Sequence, residues 1–261
     1  VTRTQRQIEE LRQGEACVLV CDPSGRPLAG DPVWAEQETH AFAFGCVAPD
    51  LDALPEPDRA RCLTRLHGLF NRLLPAGPPT EPGVIRVDVP DAGHLGQLRT
   101  LLDRMSSAGR PLEVHVRGRC VGLGGPGEEG FRDRAAAERV AALYTLCFAH
   151  PAVGGVFWNG FWDGEAGAAG GGLLRIDLAP RPAYRFLHKL IGTVWHSRAA
   201  GATDRDGLFR FRGFFGDYRV AARIGDGPAT TALIPCRPGI EGPQPLRIPS
   251  PAGTGGHRSD G

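Results

Sequence analysis

The alternation of short apolar runs with amphipathic runs between residues 58 and 195 restricts most strongly what this chain can fold into. Leu63, Leu66, Leu69, Phe70, Leu73 and Leu74 recur at helical spacing, which predicts a helix over Asp58–Leu74, stopped by Pro75 and the AGPPTEPG break. Val84–Val89 follows as a short strand. His94–Ala108 carries Leu95, Leu98, Leu101, Leu102 and Met105 on one helical face, with Gly109 at the C-cap position. Pro111 opens the strand LEVHVRG, the alanine-rich Phe131–His150 is a strong helix former, and Val153–Trp158 reads as a buried strand. Leu173–Leu178 is a further apolar segment, and the proline-marked start at Pro180–Tyr184 leads into a helix over Arg181–Trp195. Strand–helix–strand order of this kind predicts parallel strands in βα units.

The flanks differ. Arg3–Arg12 is a short charged helix ended by Gly14. Ala16–Cys21, Pro32–Gln37 and Thr39–Phe44, separated by the turn signals of DPSGRPLAG, predict a small antiparallel unit. Pro49–Pro57 is loop. Near the C-terminus GLFRFRGFFGDYRVAARIGDG alternates as two strands around a turn at Gly213–Gly216, and from Pro235 the proline- and glycine-rich chain is expected to be disordered. The expected division is a β unit over 1–48, an α/β core over 49–200, a β hairpin unit over 201–234 packed on the core, and a tail over 235–261.

Charge excludes some partners. Thirty basic and 29 acidic side chains leave a net charge of +1, and the arginines are scattered, so there is no field for nucleic acid or an anionic membrane surface. No apolar run approaches the length that spans a bilayer. The polar start VTRTQRQIEELRQGE lacks the apolar stretch of a secretory signal, which makes the cytoplasm the default expectation. Seven cysteines, an odd number without CxxC spacing, read as free and mostly buried thiols rather than a disulfide scaffold or a metal site. The loop GLGGPGEEG at Gly122–Gly130 lacks the GKS/GKT ending of a phosphate loop and is rejected as one. No metal or cofactor is expected.

Chemistry concentrates in Ala152–Tyr184, where Trp158, Phe161, Trp162, Asp163 and Glu165 follow a strand. Two indoles beside a carboxylate at a strand end suit a sugar, since indole faces stack on a pyranose and the carboxylate accepts its hydroxyls. The alternative reading puts both indoles in the core and has Asp163 capping a turn. In HAFAFG, His40, Phe42 and Phe44 share one parity. The phenylalanines read as core, and His40 either orients a ligand or is a satisfied buried histidine.

The pieces QIEELRQGEACVLVCDPSGRPLAGDPVWAEQETHAFAFG, FWNGFWDG, GGLLRIDLAPRPAY and FRFRGFFGDYRV, in this order, resemble segments of glycoside hydrolase family 10, the endo-1,4-β-xylanase family. They match best the branch in which β units precede and follow the barrel. The resemblance implies a (β/α)₈ (TIM) barrel that hydrolyses β-1,4-linked xylan with retention, using an acid/base glutamate after the fourth strand and a nucleophile ending the seventh. Two carboxyl groups about 5 Å apart are what that mechanism needs. No Asn-Glu pair, the usual context of the acid/base, occurs in the chain; the asparagines are Asn71 and Asn159. Laid against the seventh strand from Pro111, the nucleophile position holds Val116, and Glu113 points to the opposite face of a regular strand. Trp158 matches the family's sugar-binding floor, and Phe161, Trp162 and Asp163 its continuation. Glu165 and GAAGGG replace a further tryptophan or histidine.

A closed barrel takes about 250 residues. The flanking β units consume much of this chain, leaving three or four βα units. The expected fold is therefore α/β, an incomplete (β/α)-barrel-derived core flanked by small antiparallel β units at both ends. Its exposed strand edges would be covered by those units, a partner chain or self-association. Three functions follow as hypotheses. The first is a xylanase-like protein without its catalytic pair, binding β-1,4-linked polysaccharide or oligosaccharide weakly through Trp158, Trp162, Asp163 and His40. The second is a working glycosidase with displaced carboxylates drawn from Glu113, Asp163, Glu165 and Asp88. The third is a non-catalytic structural or interaction module. Paired carboxyls, exposed coplanar indoles or buried indoles respectively distinguish them.

Overall fold

The computed structural model describes residues 2–52, 54–75, 83–89, 95–123, 129–165, 170–225, 227–240 and 242–248. Residues 76–82 of the AGPPTEPG break, most of the Gly122–Gly130 loop and the chain beyond residue 248 lie outside them. In chain order the elements begin with α1 (Arg3–Arg12), β1 (Gln13–Cys21), β2 (Pro32–His40), β3 (Ala43–Val47), α2 (Glu56–His67) and β4 (Arg72–Leu74). Next come β5 (Ile85–Asp88), α3 (Leu95–Ser106), β6 (Leu112–Arg117), α4 (Glu129–Phe148), β7 (Val153–Asn159) and α5 (Pro182–Lys189). The chain closes with β8 (Arg198–Ala202), β9 (Leu208–Phe214), β10 (Gly216–Ala222), β11 (Thr230–Cys236) and β12 (Gln244–Arg247).

These elements form two compact units, one of residues 1–12 and 42–196, the other of 13–41 and 197–261. The first holds a five-stranded sheet in the order β4-β3-β7-β6-β5, every neighbouring pair parallel. Its first long strand, β3, pairs with its last, β7, as the first and eighth strands do where a barrel closes. The two edges, β4 and β5, follow one another in the chain, so the open arc lies between them. The α/β core with its parallel sheet and the antiparallel β unit beside it in sequence have the arrangement of an incomplete TIM barrel.

β4 lies inside the segment whose spacing predicts a helix. The helix ends instead at Gly68, because Asn71 takes hold of β3: its Oδ1 accepts the Phe44 N–H and its Nδ2 donates to the Phe42 carbonyl, both at 3.0 Å. Side-chain pairing with a neighbouring strand starts a parallel strand where local periodicity would have continued the helix. The sheet's helix-side core is aromatic. Phe44 stacks on Trp195 at 5.6 Å and on Tyr144 at 6.4 Å, and Phe148 meets Trp195 at 4.4 Å. Arg12 closes the end of α4, donating at 2.8 Å to the carbonyls of Phe148, His150 and Val153. Its guanidinium also lies 4.7 Å over the Phe42 ring. The bond to Phe148 satisfies a carbonyl that the helix end leaves open, and those to His150 and Val153 tie the turn that leads into β7.

The second unit is a two-sheet sandwich. One sheet runs β12-β1-β9 and the other β11-β10-β2-β8. Val18, Val20, Phe209 and Phe211 from the first share a buried core with Val33, Ala35, Tyr218 and Val220 from the second. The two β units expected at opposite ends of the sequence are thus one body, with chain boundaries near residues 12, 41 and 196. The expected hairpin about Gly213–Gly216 is a crossing between sheets, since β9 pairs with β1 while β10 pairs with β2 and β11. Tyr218 fixes that corner by donating from its hydroxyl to the Phe214 carbonyl at 2.7 Å. Part of the expected disordered tail is ordered too: Gln244–Arg247 pairs in parallel with Val18–Cys21, and Leu246 and Ile248 are buried. All seven cysteines are free, five of them buried.

Candidate functional site

Strand alternation and register decide which side chains share each face of the core sheet. Phe44 faces the helices, and register carries that face through Cys46, Val156 and Trp158 to Val116 and Val114. The opposite face carries Gly45, Phe157, Glu113, His115, Arg86 and Asp88. Val116, at the nucleophile position, is therefore fully buried against the helix layer.

The two indoles are inside. Trp158 is 0% and Trp162 6% exposed. Each indole N–H is satisfied within the chain, Trp158 by the Gly160 carbonyl at 3.0 Å and Trp162 by the Ile176 carbonyl at 3.1 Å. Backbone at Gly164 covers the Trp162 ring so closely that a Cβ there would lie 2.1 Å from it. Neither ring offers a sugar an open face. The sugar-binding expectation for Trp158 and Trp162 gives way to the alternative reading, in which both are core.

The acidic residues of the same loop are engaged in holding it. Asp163 Oδ1 accepts the Gly172 N–H at 2.7 Å and Oδ2 accepts from Arg181 Nη2 at 2.7 Å. Arg181 Nη1 reaches Asp133 at 2.8 Å, and Arg175 Nη2 donates to the same carboxylate at 2.7 Å. Glu165 Oε2 accepts the Phe161 N–H at 3.0 Å, and its burial raises its pKa against the lowering by that bond. Asp163 and Glu165 thus work as loop-closing acceptors.

Glu113 is buried on the sheet face away from Val116, with its Oε2 4.0 Å from His115 Nε2. Asp88 is exposed and paired with Arg86 at 2.9 Å. His40 belongs to the sandwich unit, where its Nδ1 lies 3.2 Å from Gln37 Nε2. The structure therefore does not gather the sequence candidates into one place: Glu113 and Asp88 share a sheet face, Asp163 and Glu165 share a loop, and His40 lies in the other unit. Among the described residues, no three histidine, cysteine or carboxylate side chains cluster as a metal site would require.

One concavity escaped sequence reasoning. A cleft of about 420 Å³ opens at the C-terminal ends of β5 and β6, lined by Asp88, Val89, His115, Arg117, Arg119 and Cys120. Strand C-terminal ends are where parallel α/β sheets receive ligands. The signal lay in LEVHVR, whose strict alternation sets Glu113, His115 and Arg117 on one face of an otherwise apolar strand.

No protein-family model matches the chain. Over 89 residues, 34% of this chain, it is 33% identical to the anti-sigma-I factor RsgI6 of Acetivibrio thermocellus. The chain spans only 12% of that protein's length. Among solved structures, xylanase 10B of Thermotoga petrophila in complex with xylobiose and native xylanase 10B of Thermotoga maritima are similar at 18% and 20% identity. Each likeness has a TM-score of 0.32 and covers 42% of this chain and 35% of the other. This is a weak and partial likeness at the level of the fold.

Proposed function

We propose that this chain is a non-catalytic relative of the family 10 glycoside hydrolases, of the xylan-hydrolase class by descent and without turnover of its own. The observation that carries this reading is the position of Val116: where the resemblance calls for a nucleophile, the chain has an apolar side chain buried against the helices. A retaining mechanism needs a carboxylate there and a second about 5 Å away. The engagement of Asp163 with Arg181, and of Asp88 with Arg86, supports the same conclusion. So does the burial of both indoles, which removes the stacking platform of a glycosidase subsite. The partial match to a protein named as an anti-sigma factor is in keeping with a role in recognition or regulation.

Hydrolysis of β-1,4-xylan and of an aryl β-xylobioside by the purified, folded chain tests the proposal. The expected result is a rate at background. Turnover that Glu113→Gln abolishes would make Glu113 a relocated nucleophile and overturn the reading.

A further inference from the structure

We infer that β8 is the pairing edge of the sandwich unit, and that it joins antiparallel to β8 of a second copy of this chain. Such pairing is independent of whether the chain turns over xylan.

The edge strands of the sandwich are guarded unequally. A sheet edge is a row of unpaired N–H and C=O groups, which proteins blunt with charge, proline or shortness. Among the described residues the edges are β12 and β9 in one sheet and β11 and β8 in the other. β9 carries the exposed Arg210 and Arg212. β12 is four residues long and holds Pro245 and Arg247. β11 holds Pro235, which has no N–H to offer, and whose carbonyl accepts from the Gln244 side chain at 3.3 Å. β8 reads Arg-Ala-Ala-Gly-Ala, without proline, and its Ala200, Gly201 and Ala202 are exposed. Its charge does not guard it, because Arg198 reaches across to Glu36 of β2 at 2.7 Å, away from the free side.

The ladder shows which backbone groups this edge presents. β2 and β8 run antiparallel with Trp34 opposite Ala200. The Gln37 N–H donates to the Ser197 carbonyl and the Thr203 N–H to the Asp31 carbonyl, each at 3.0 Å. Bonded pairs alternate in an antiparallel ladder, so Ala199 and Gly201 also bond β2, while Arg198, Ala200 and Ala202 turn their N–H and C=O groups to the free side.

Those residues make a self-complementary edge. A twofold axis at Ala200, normal to the sheet, sets Ala200 against its own copy and Arg198 against the partner's Ala202. Every one of these pairs is of the bonded kind, and no two charges meet. Trp34 is 42% exposed on the same face, next to Ala200. The small side chains of β8 leave room for the indoles of both copies to flank the join and bury apolar surface there. The product is one continuous sheet through the two sandwiches.

Sedimentation velocity of the full chain over a range of concentrations, with amide exchange read residue by residue, tests this. The wild type should form a reversible dimer, and the Ala200 and Ala202 amides should gain protection as concentration rises, whereas Ala199 and Gly201 are protected throughout. Ala200→Pro removes a donor that the β2–β8 ladder does not use, so the variant should stay folded and dimerise about tenfold or more weakly, through loss of the bonds at the axis. Ala200→Lys sets like charges opposite one another and should weaken the dimer in a salt-dependent way, which keeps the test open if the proline variant unfolds. A folded wild type that stays monomeric up to about 1 mM overturns the inference. So does a dimer that both folded variants leave intact, or one whose formation leaves the Ala200 amide unprotected.

Discussion

Arg181 holds two carboxylates at once, Asp133 at 2.8 Å and Asp163 at 2.7 Å, with Arg181 and Asp133 both buried. Removing it would strand buried negative charge, so Arg181→Met should lower unfolding free energy by about 3–5 kcal/mol, the cost of breaking a buried ion pair from one side. Urea denaturation of the variant measures this. Glu165 carries a prediction of opposite sign. Burial raises its folded-state pKa above the unfolded value, so the native state holds the proton more tightly. That contribution is favourable in acid and is lost as pH rises through the folded-state pKa. Glu165→Gln should therefore raise the melting temperature at pH 7 and lose the advantage near pH 4, as melts across that range would record. At this scale the sequence showed which residues carry chemistry but not their surroundings. Parity places Trp158 on one face of its strand, and only the register with Phe44 and Val116 identifies that face as the helix side.

Gly45 and Gly118 mark close approaches between elements of the core. A Cβ on Gly45 of β3 would lie 2.2 Å from the Phe157 ring, which is itself stacked on His115 at 5.4 Å. A Cβ on Gly118, just after β6, would lie 1.8 Å from the Gly171 carbonyl oxygen. Gly45→Ala should cost about 1–3 kcal/mol through overpacking. Gly118→Ala should cost more, because the obstacle is backbone and cannot rotate away. Chemical denaturation of the two variants side by side gives the ranking, and equal stabilities would contradict it. The long amphipathic helices and β7 were legible because their apolar periodicity is local. β4 and β12 were not: β4 is fixed by Asn71 and β3, and β12 by a partner strand at the other end of the sequence. The alternation of β9 and β10 was likewise clear, while their division between two sheets depends on β1 and β2.

For the molecule as a whole, the sandwich unit depends on the chain's late residues. Ending the protein at Gly239 would remove β12 along with the buried Leu246 and Ile248. Each fully buried aliphatic side chain is worth about 1.5–3 kcal/mol, so the truncated chain should melt at lower temperature and lose amide-exchange protection at Val18–Cys21. Unchanged protection there would show that β1 does not rely on β12. The barrel-like sheet raises a different matter. Its centre is the β3–β7 pair, strands far apart in the chain, while its consecutive strands β4 and β5 lie at opposite rims. The consecutive units β3–α2–β4 and β5–α3–β6–α4–β7 are each local, so these two parts of the sheet can form before they meet at the β3–β7 pair. Joining them closes a loop that contains α2, α3 and α4, and the sandwich pairings of β1 with β9 and β2 with β10 are also distant in sequence. A chain with so high a contact order folds slowly for its size. It exposes unpaired strand edges while it does so, which ties its yield in a cell to how quickly those distant ends meet.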